Sequence, residues 1–380
     1  MGVFDEFDIQ ARKKKIENVF NGVHLKTEED FPVIAATPCY FGFGGLKRPR
    51  EYWTDPKTML SFQTNACLTH LRNVDDDFIP YFMPWFGTGV IASAFGCEIT
   101  EATGEGDDPG VKCHCINTVG EAAKLKKPDM YKDGQMPTVI RFIEYAAKHS
   151  EMPIGLTDMN SPFSTLCQVC GYENVFIWAY EEPELLNDLM SMMCETFTDW
   201  TRLQKQISGE PLNMSSGLQG IWTPKGGVWM SDDDLITIGE DFYAEFIAPH
   251  YAKVFEEFGG GHLHYCGKGT HQLNNIAKLP ITAVNNGPLG GFNEFAGLKN
   301  GLPENMVMEI QDGACIEPEE YYKKLFADVE SIDSMLIATF VPERIGMLQD
   351  GGYVAVDWDA FAHANRIVKA ARAAIKEKIS

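Results

Sequence analysis

Between Gly259 and Gly269 the chain reads Gly-Gly-Gly-His-Leu-His-Tyr-Cys-Gly-Lys-Gly. His264 and Cys266 stand two residues apart, and in an extended strand residues i and i+2 share a face, so an imidazole and a thiol emerge side by side. These are the nitrogen and sulfur donors that Zn²⁺ prefers in a tetrahedral site. Glycines on both flanks let backbone and ligand approach closely. His262 has the same parity one residue pair deeper, where packing or hydrogen bonding is the simpler role. A ligating His normally passes its second nitrogen to a carboxylate or a carbonyl. Asp158, Glu309 and Asp312 each end an apolar run and are the candidates for that support. Asp232 and Asp233 follow Ser231 as an acidic first turn, suited to a helix dipole before any contact with substrate.

Other cysteines carry weaker signals. Cys113-His114-Cys115 has no second pair at finger-like spacing and reads as a β-edge. Cys167 and Cys170 fall inside an apolar helical pattern and read as core positions.

The elements that must position these residues alternate. An exposed, basic opening helix spans Asp8 to Asn21, and a strand runs from Phe31 to Ala36. Pro153 to Asp158 is a strand with a polar end, and Ser161-Pro162 opens a helix. A polar excursion runs from Glu101 to Lys127. After the Gly259–Gly269 stretch, short apolar runs recur at Ile281–Val284, Val307–Ile310, Ser334–Phe340 and Tyr353–Val356, with helical or loop patterns between them. Such alternation predicts parallel strands with crossover helices, hence α/β architecture and a (β/α)8 barrel, where reactive groups collect at the C-terminal ends of the strands. The expectation is one domain over residues 1–380, with inserted loops and residues 1–30 as an N-terminal helical extension.

Composition narrows the function. The chain has 380 residues, 44% of them hydrophobic, which is enough for a large core. Its formal net charge of -22 argues against nucleic acid or an anionic membrane as partner, because polyphosphates need a Lys/Arg face. No basic-then-apolar leader and no apolar run near the roughly 20 residues of a membrane helix occurs, so a cytoplasmic location is expected. In that compartment the ten cysteines are expected as thiols or metal ligands.

Several stretches then converge on one family. Asn160-Ser161-Pro162-Phe163 before a helix and Gly171, then Glu182-Pro183-Glu184-Leu185-Leu186, Asp232-Asp233, Pro249 and Gly260-Gly261-His262-Leu263-His264-Tyr265-Cys266-Gly267, resemble the uroporphyrinogen decarboxylase superfamily. Within it the chain is more similar to the cobalamin (corrinoid)-dependent methyltransferases, over roughly residues 30 to 375. That resemblance implies a (β/α)8 barrel binding zinc through a His-x-Cys pair and a later Cys. It also implies transfer of a methyl group from methylcobalamin on a partner corrinoid protein to an acceptor, either a thiol or tetrahydrofolate. The pair maps onto His264 and Cys266. The family's later Cys falls where this chain has Leu336-Ile337-Ala338-Thr339-Phe340, so Cys315 is the candidate third ligand, with Glu309 and Asp312 as oxygen alternatives. A decarboxylase-like lyase and a non-catalytic corrinoid-protein binding module are the other readings.

Overall fold

A computed structural model of the chain describes residues 2–37, 39, 46–218, 221–287, 291–348 and 352–380. Six parallel strands form its centre: β1 (Val33–Ala36), β2 (Val228–Ser231), β3 (Gly261–Cys266), β4 (Ala283–Gly287), β5 (Val307–Ile310) and β6 (Met335–Phe340). They lie in the order β1-β6-β5-β4-β3-β2. Their side chains are buried almost throughout, as expected for strands covered on both faces. The open edges are joined by two further extended stations. Phe82 bridges Ile154, and Asn160 bridges Ser231, both in parallel sense. The sheet thereby closes into the expected (β/α)8 barrel. No described helix is long and apolar enough to cross a membrane.

Closure between β1 and the station at Phe82 uses side chains in place of a full ladder. The Val33 amide donates to Asp77 Oδ2 at 3.0 Å and the Ala35 amide to Asp76 Oδ2 at 2.8 Å, while the Asp77 amide donates back to Val33 O. Two helices supply the countercharge. In α1 (Ile9–Phe20), Arg12 lies 3.9 Å from Asp76 and Lys15 lies 2.8 Å from Asp77; Arg372, in the C-terminal helix Ala360–Ile379, reaches Asp77 at 3.9 Å. Burial works against the Asp76 carboxylate, yet His70, the Ala35 amide and Arg12 together hold it below the usual carboxylate value. Asp76→Ala should therefore cost about 3 to 5 kcal/mol in urea unfolding, the range for breaking a buried ionic network. A depressed carboxylate stabilises the fold above its unfolded pKa and loses that contribution as pH falls through the folded value, so the wild type alone should show this extra acid-limb loss below about pH 4.

Two expectations change. The opening helix is not simply exposed: Ile16, Val19 and Phe20 are buried, and the Phe20 ring rests 5.6 Å from that of His262. The run Tyr353–Val356 is not a barrel strand. Tyr353–Ala355 pairs antiparallel with Ile345–Met347, because the described part of the interval after Phe340 carries that partner strand in place of the crossover helix a parallel strand requires.

Candidate metal centre

β3 presents His264 and Cys266 from the same face at its C-terminal end, as the period-two spacing predicts. His264 Nδ1 meets Asn285 Oδ1 at 2.5 Å, across the register that pairs His264 with Asn285. The side-chain oxygen can only accept, so Nδ1 carries the proton and the Nε2 lone pair points the other way. There it lies 3.5 Å from Cys266 Sγ and 3.8 Å from Asp233 Oδ1. Ligand atoms of these three residues all lie within 4.8 Å of one another, the one such group of metal donors among the described residues.

The third donor arrives from the neighbouring strand. β2 ends at Ser231, opposite His264 in the register, and the chain turns into a short 3-10 helix, Asp233–Thr237. Asp233 Oδ1 accepts the Cys266 amide at 2.7 Å, which ties the turn to β3. By sequence Asp233 suits the acidic first turn of a helix; only strand adjacency reveals its position beside His264 and Cys266. Space for a donor cluster comes from Gly287, opposite Cys266. A Cβ there would stand 2.4 Å from Cys266 Sγ and 3.1 Å from His264 Cε1. No substituent fits without displacing the thiol.

These donors fit Zn²⁺. Bond lengths of about 2.0 Å to nitrogen and 2.3 Å to sulfur in a tetrahedron place the two ligand atoms roughly 3.6 Å apart, close to the 3.5 Å seen. Asp233, with its side chain 58% exposed, leaves one side open to solvent. Burial, with Asp233 adding to it, pushes the Cys266 thiol well up, so without a cation it stays protonated.

The remaining sequence candidates divide. Asp158 is buried, and desolvation followed by the Asp233 charge raises it to about 8. Its Oδ1 has no hydrogen-bond partner among the described residues. Asp232 is raised to about 7, first by burial; its Oδ1 accepts Ser161 Oγ at 2.8 Å and Tyr251 OH at 3.3 Å, so it anchors the helix Pro162–Cys170. Glu309 and His262 find each other. Glu309 Oε1 is 3.0 Å from His262 Nδ1, and His262 Nε2 is 3.1 Å from the Lys225 carbonyl. Both lie below the donor cluster, and the orienting partner expected of a carboxylate is Asn285. Asp312 is buried and raised to about 6 by desolvation, against the opposing effect of Thr339, Tyr322 and Tyr321.

Cys315 is not brought to the pair. It is buried beside the hairpin, bridging Met347, and its carbonyl accepts His363 Nε2 at 2.9 Å. Burial lifts its thiol to about 12. Tyr353 lies outside the residues the sequence points to, yet the hairpin carries it over Gly313, where a Cβ would lie 2.6 Å from its hydroxyl, and burial, with Asp312 adding to it, pushes that hydroxyl well above its usual value.

Comparison with known proteins bears on the barrel that carries these residues. The family model for uroporphyrinogen decarboxylase (URO-D) matches residues 51–219. The solved structure of a methyltransferase from Methanosarcina mazei is similar to this chain with a TM-score of 0.65 and 15% sequence identity, covering 97% of this chain and 99% of that one. At that identity the likeness speaks for the fold. No curated protein matches the sequence. The resemblance to the uroporphyrinogen decarboxylase superfamily and the barrel architecture are both borne out.

Proposed function

From the premise of a uroporphyrinogen decarboxylase-type barrel, we propose that the protein is a zinc-dependent methyltransferase. It would take a methyl group from methylcobalamin on a partner corrinoid protein that docks at the barrel mouth and pass it to a thiol or to tetrahydrofolate. The observation that supports this most is the 3.5 Å approach of His264 Nε2 to Cys266 Sγ with the imidazole turned by Asn285. Zn²⁺ held by His264, Cys266 and Asp233 would supply a Lewis acid that lowers the pKa of an acceptor thiol towards neutrality.

The chain's own residues prepare that site. Asn285 fixes the His264 tautomer so that Nε2 stays free as a donor. Asn286 Nδ2 donates to the carbonyls of Tyr265 and Gly267 and steadies the turn around Cys266. Gly287 keeps the space beside the thiol clear. Asp158, neutral at pH 7 while raised to about 8, places no second full negative charge beside Asp233 and can hold a proton on a carboxyl oxygen.

Metal analysis beside a methyl-transfer assay from methylcobalamin, offering a thiol and tetrahydrofolate separately, tests the proposal. The expected result is about one zinc per chain and methylation of one of the two acceptors. Pure folded protein with neither metal nor turnover would sink it, and carbon dioxide release from a polycarboxylate substrate without metal would favour the lyase reading.

Asp158 gives a separate check on the electrostatics. Its folded value lies far above the unfolded one, so its contribution to stability is complete below about pH 4 and drains away as pH rises towards 8. Denaturant unfolding of metal-free protein should show that downward slope in the wild type and not in Asp158→Asn.

A further inference from the structure

Away from the donor cluster, two thiols face each other at the base of the polar excursion. Cys97 follows the helix Val90–Ala94, and Cys115 lies 18 residues further on, with the two Sγ atoms 3.5 Å apart. The contact is held by backbone. Ile99–Thr100 pairs antiparallel with Gly110–Val111, and the Lys112 amide extends the ladder to Glu98 O at 2.9 Å. The Cys115 and Ile116 amides both donate to Val169 O at 3.0 Å, while Cys97 Sγ approaches Gln168 O at 3.5 Å, so the pair is also fastened to the helix Pro162–Cys170. Cys97 is buried, Cys115 half-buried and Cys113 exposed.

The arm rooted at these thiols leads towards the barrel mouth. Its Asp108 accepts Arg48 Nη1 at 2.7 Å and Trp85 Nε1 at 2.6 Å, and its charge is felt at Asp158, which in turn feels Asp233. Between the arm and the helix lies a cavity of about 690 Å³, lined in part by His114, Asn117, Gln168 and Tyr172. Tyr172 donates to Asp234 at 2.7 Å, next to the proposed ligand Asp233. One wall of this cavity therefore hangs on the dithiol, and its far side touches the turn that carries a metal donor.

We propose that Cys97 and Cys115 form a reversible oxidation site, a disulfide latch that ties the arm down at its base. This is independent of the methyl-transfer reading. The oxidant class is a small-molecule disulfide. The more accessible Cys115, as thiolate, attacks one sulfur of that disulfide and expels one small thiol, leaving a mixed disulfide. Cys97 then loses its proton and attacks the Cys115 sulfur, expelling the second small thiol. In sum, two protein thiols and one small disulfide become one protein disulfide and two small thiols. Closing the remaining gap requires the sulfurs to approach by about 1.5 Å, a side-chain adjustment within a backbone already paired.

The test uses the full chain and oxidised glutathione. After alkylation of remaining thiols, peptide mapping should recover a Cys97–Cys115 cross-link that a dithiol reductant removes. Tryptic cleavage after the exposed Lys112 should slow by about tenfold or more while the link persists, because a short cross-linked loop opens less. Cys97→Ser should trap glutathione on Cys115, and Cys113→Ser should leave the latch intact. A disulfide formed through Cys113, or Cys97 and Cys115 both still free once Cys113 has reacted, would overturn the proposal.

Discussion

Replacing Cys266 by alanine should lower zinc retained after gel filtration from about one ion per chain to about a tenth or less, and methyl transfer should fall by about a thousandfold. The structural reason is that the remaining donors are poorly matched to a soft cation. His264 offers one nitrogen, and Asp233, largely exposed, offers an oxygen already engaged by the Cys266 amide. Removing the sulfur leaves no enclosed donor pair. Asn285→Ala should behave as a milder version, with a loss of about 10- to 100-fold in metal affinity, the size usual for a residue that orients a ligand. Because Cys266 must surrender a proton that burial holds firmly, metal uptake should release protons and weaken as the pH falls. Full metal content and full activity in the alanine variant would refute the proposed centre.

Gly287→Ala should be nearly as damaging while changing no donor. The new methyl would sit 2.4 Å from Cys266 Sγ and 3.1 Å from the Cys266 Cα, inside contact distance of both. Since backbone cannot retreat within a six-stranded parallel ladder, the thiol must swing away from His264. A misplacement of about 1 Å at a reacting centre costs about a hundredfold in rate, and that is the expected loss. Gly297→Ala supplies the control: an exposed helical position whose added Cβ meets nothing within 4 Å. Circular dichroism should be near native for both, with metal content and turnover reduced only in the first. Equal behaviour of the two variants would show that the space beside Cys266 is not required.

The His-x-Cys pair was legible because its geometry is local: two residues on one strand face need only the period of that strand. Asp233 was not, since its nearness to His264 and Cys266 depends on β2 lying beside β3 in a particular register, and that information is spread over the 33 positions that separate Asp233 from Cys266. Asn285 and Gly287 were missed for the same reason, one strand further along. Residue type misled at Cys315. Being the sole cysteine downstream made it the natural sulfur donor, whereas the chain after β5 turns it into the packing beneath the hairpin. Glu309 shows how register alone can mislead. It is paired with Asn285 across the sheet, yet its side chain runs to His262, whose second nitrogen is held by the Lys225 carbonyl. The barrel itself followed from β-then-α alternation, which is why the architecture was readable while the set of side chains gathered around His264 was legible only where it lies on one strand.

The carboxylates at the β1 seam also bear on how the chain assembles. Asp76 and Asp77 are contacted by Arg12 and Lys15 near one end of the chain and by Arg372 near the other. The ring of strands therefore cannot be completed by neighbours in sequence alone. It waits on elements separated by nearly the whole chain, which makes closure a late, high-contact-order step in folding. Amides of Val33 and Ala35 should consequently be the last in the barrel to gain protection in pulse-labelled hydrogen exchange during refolding.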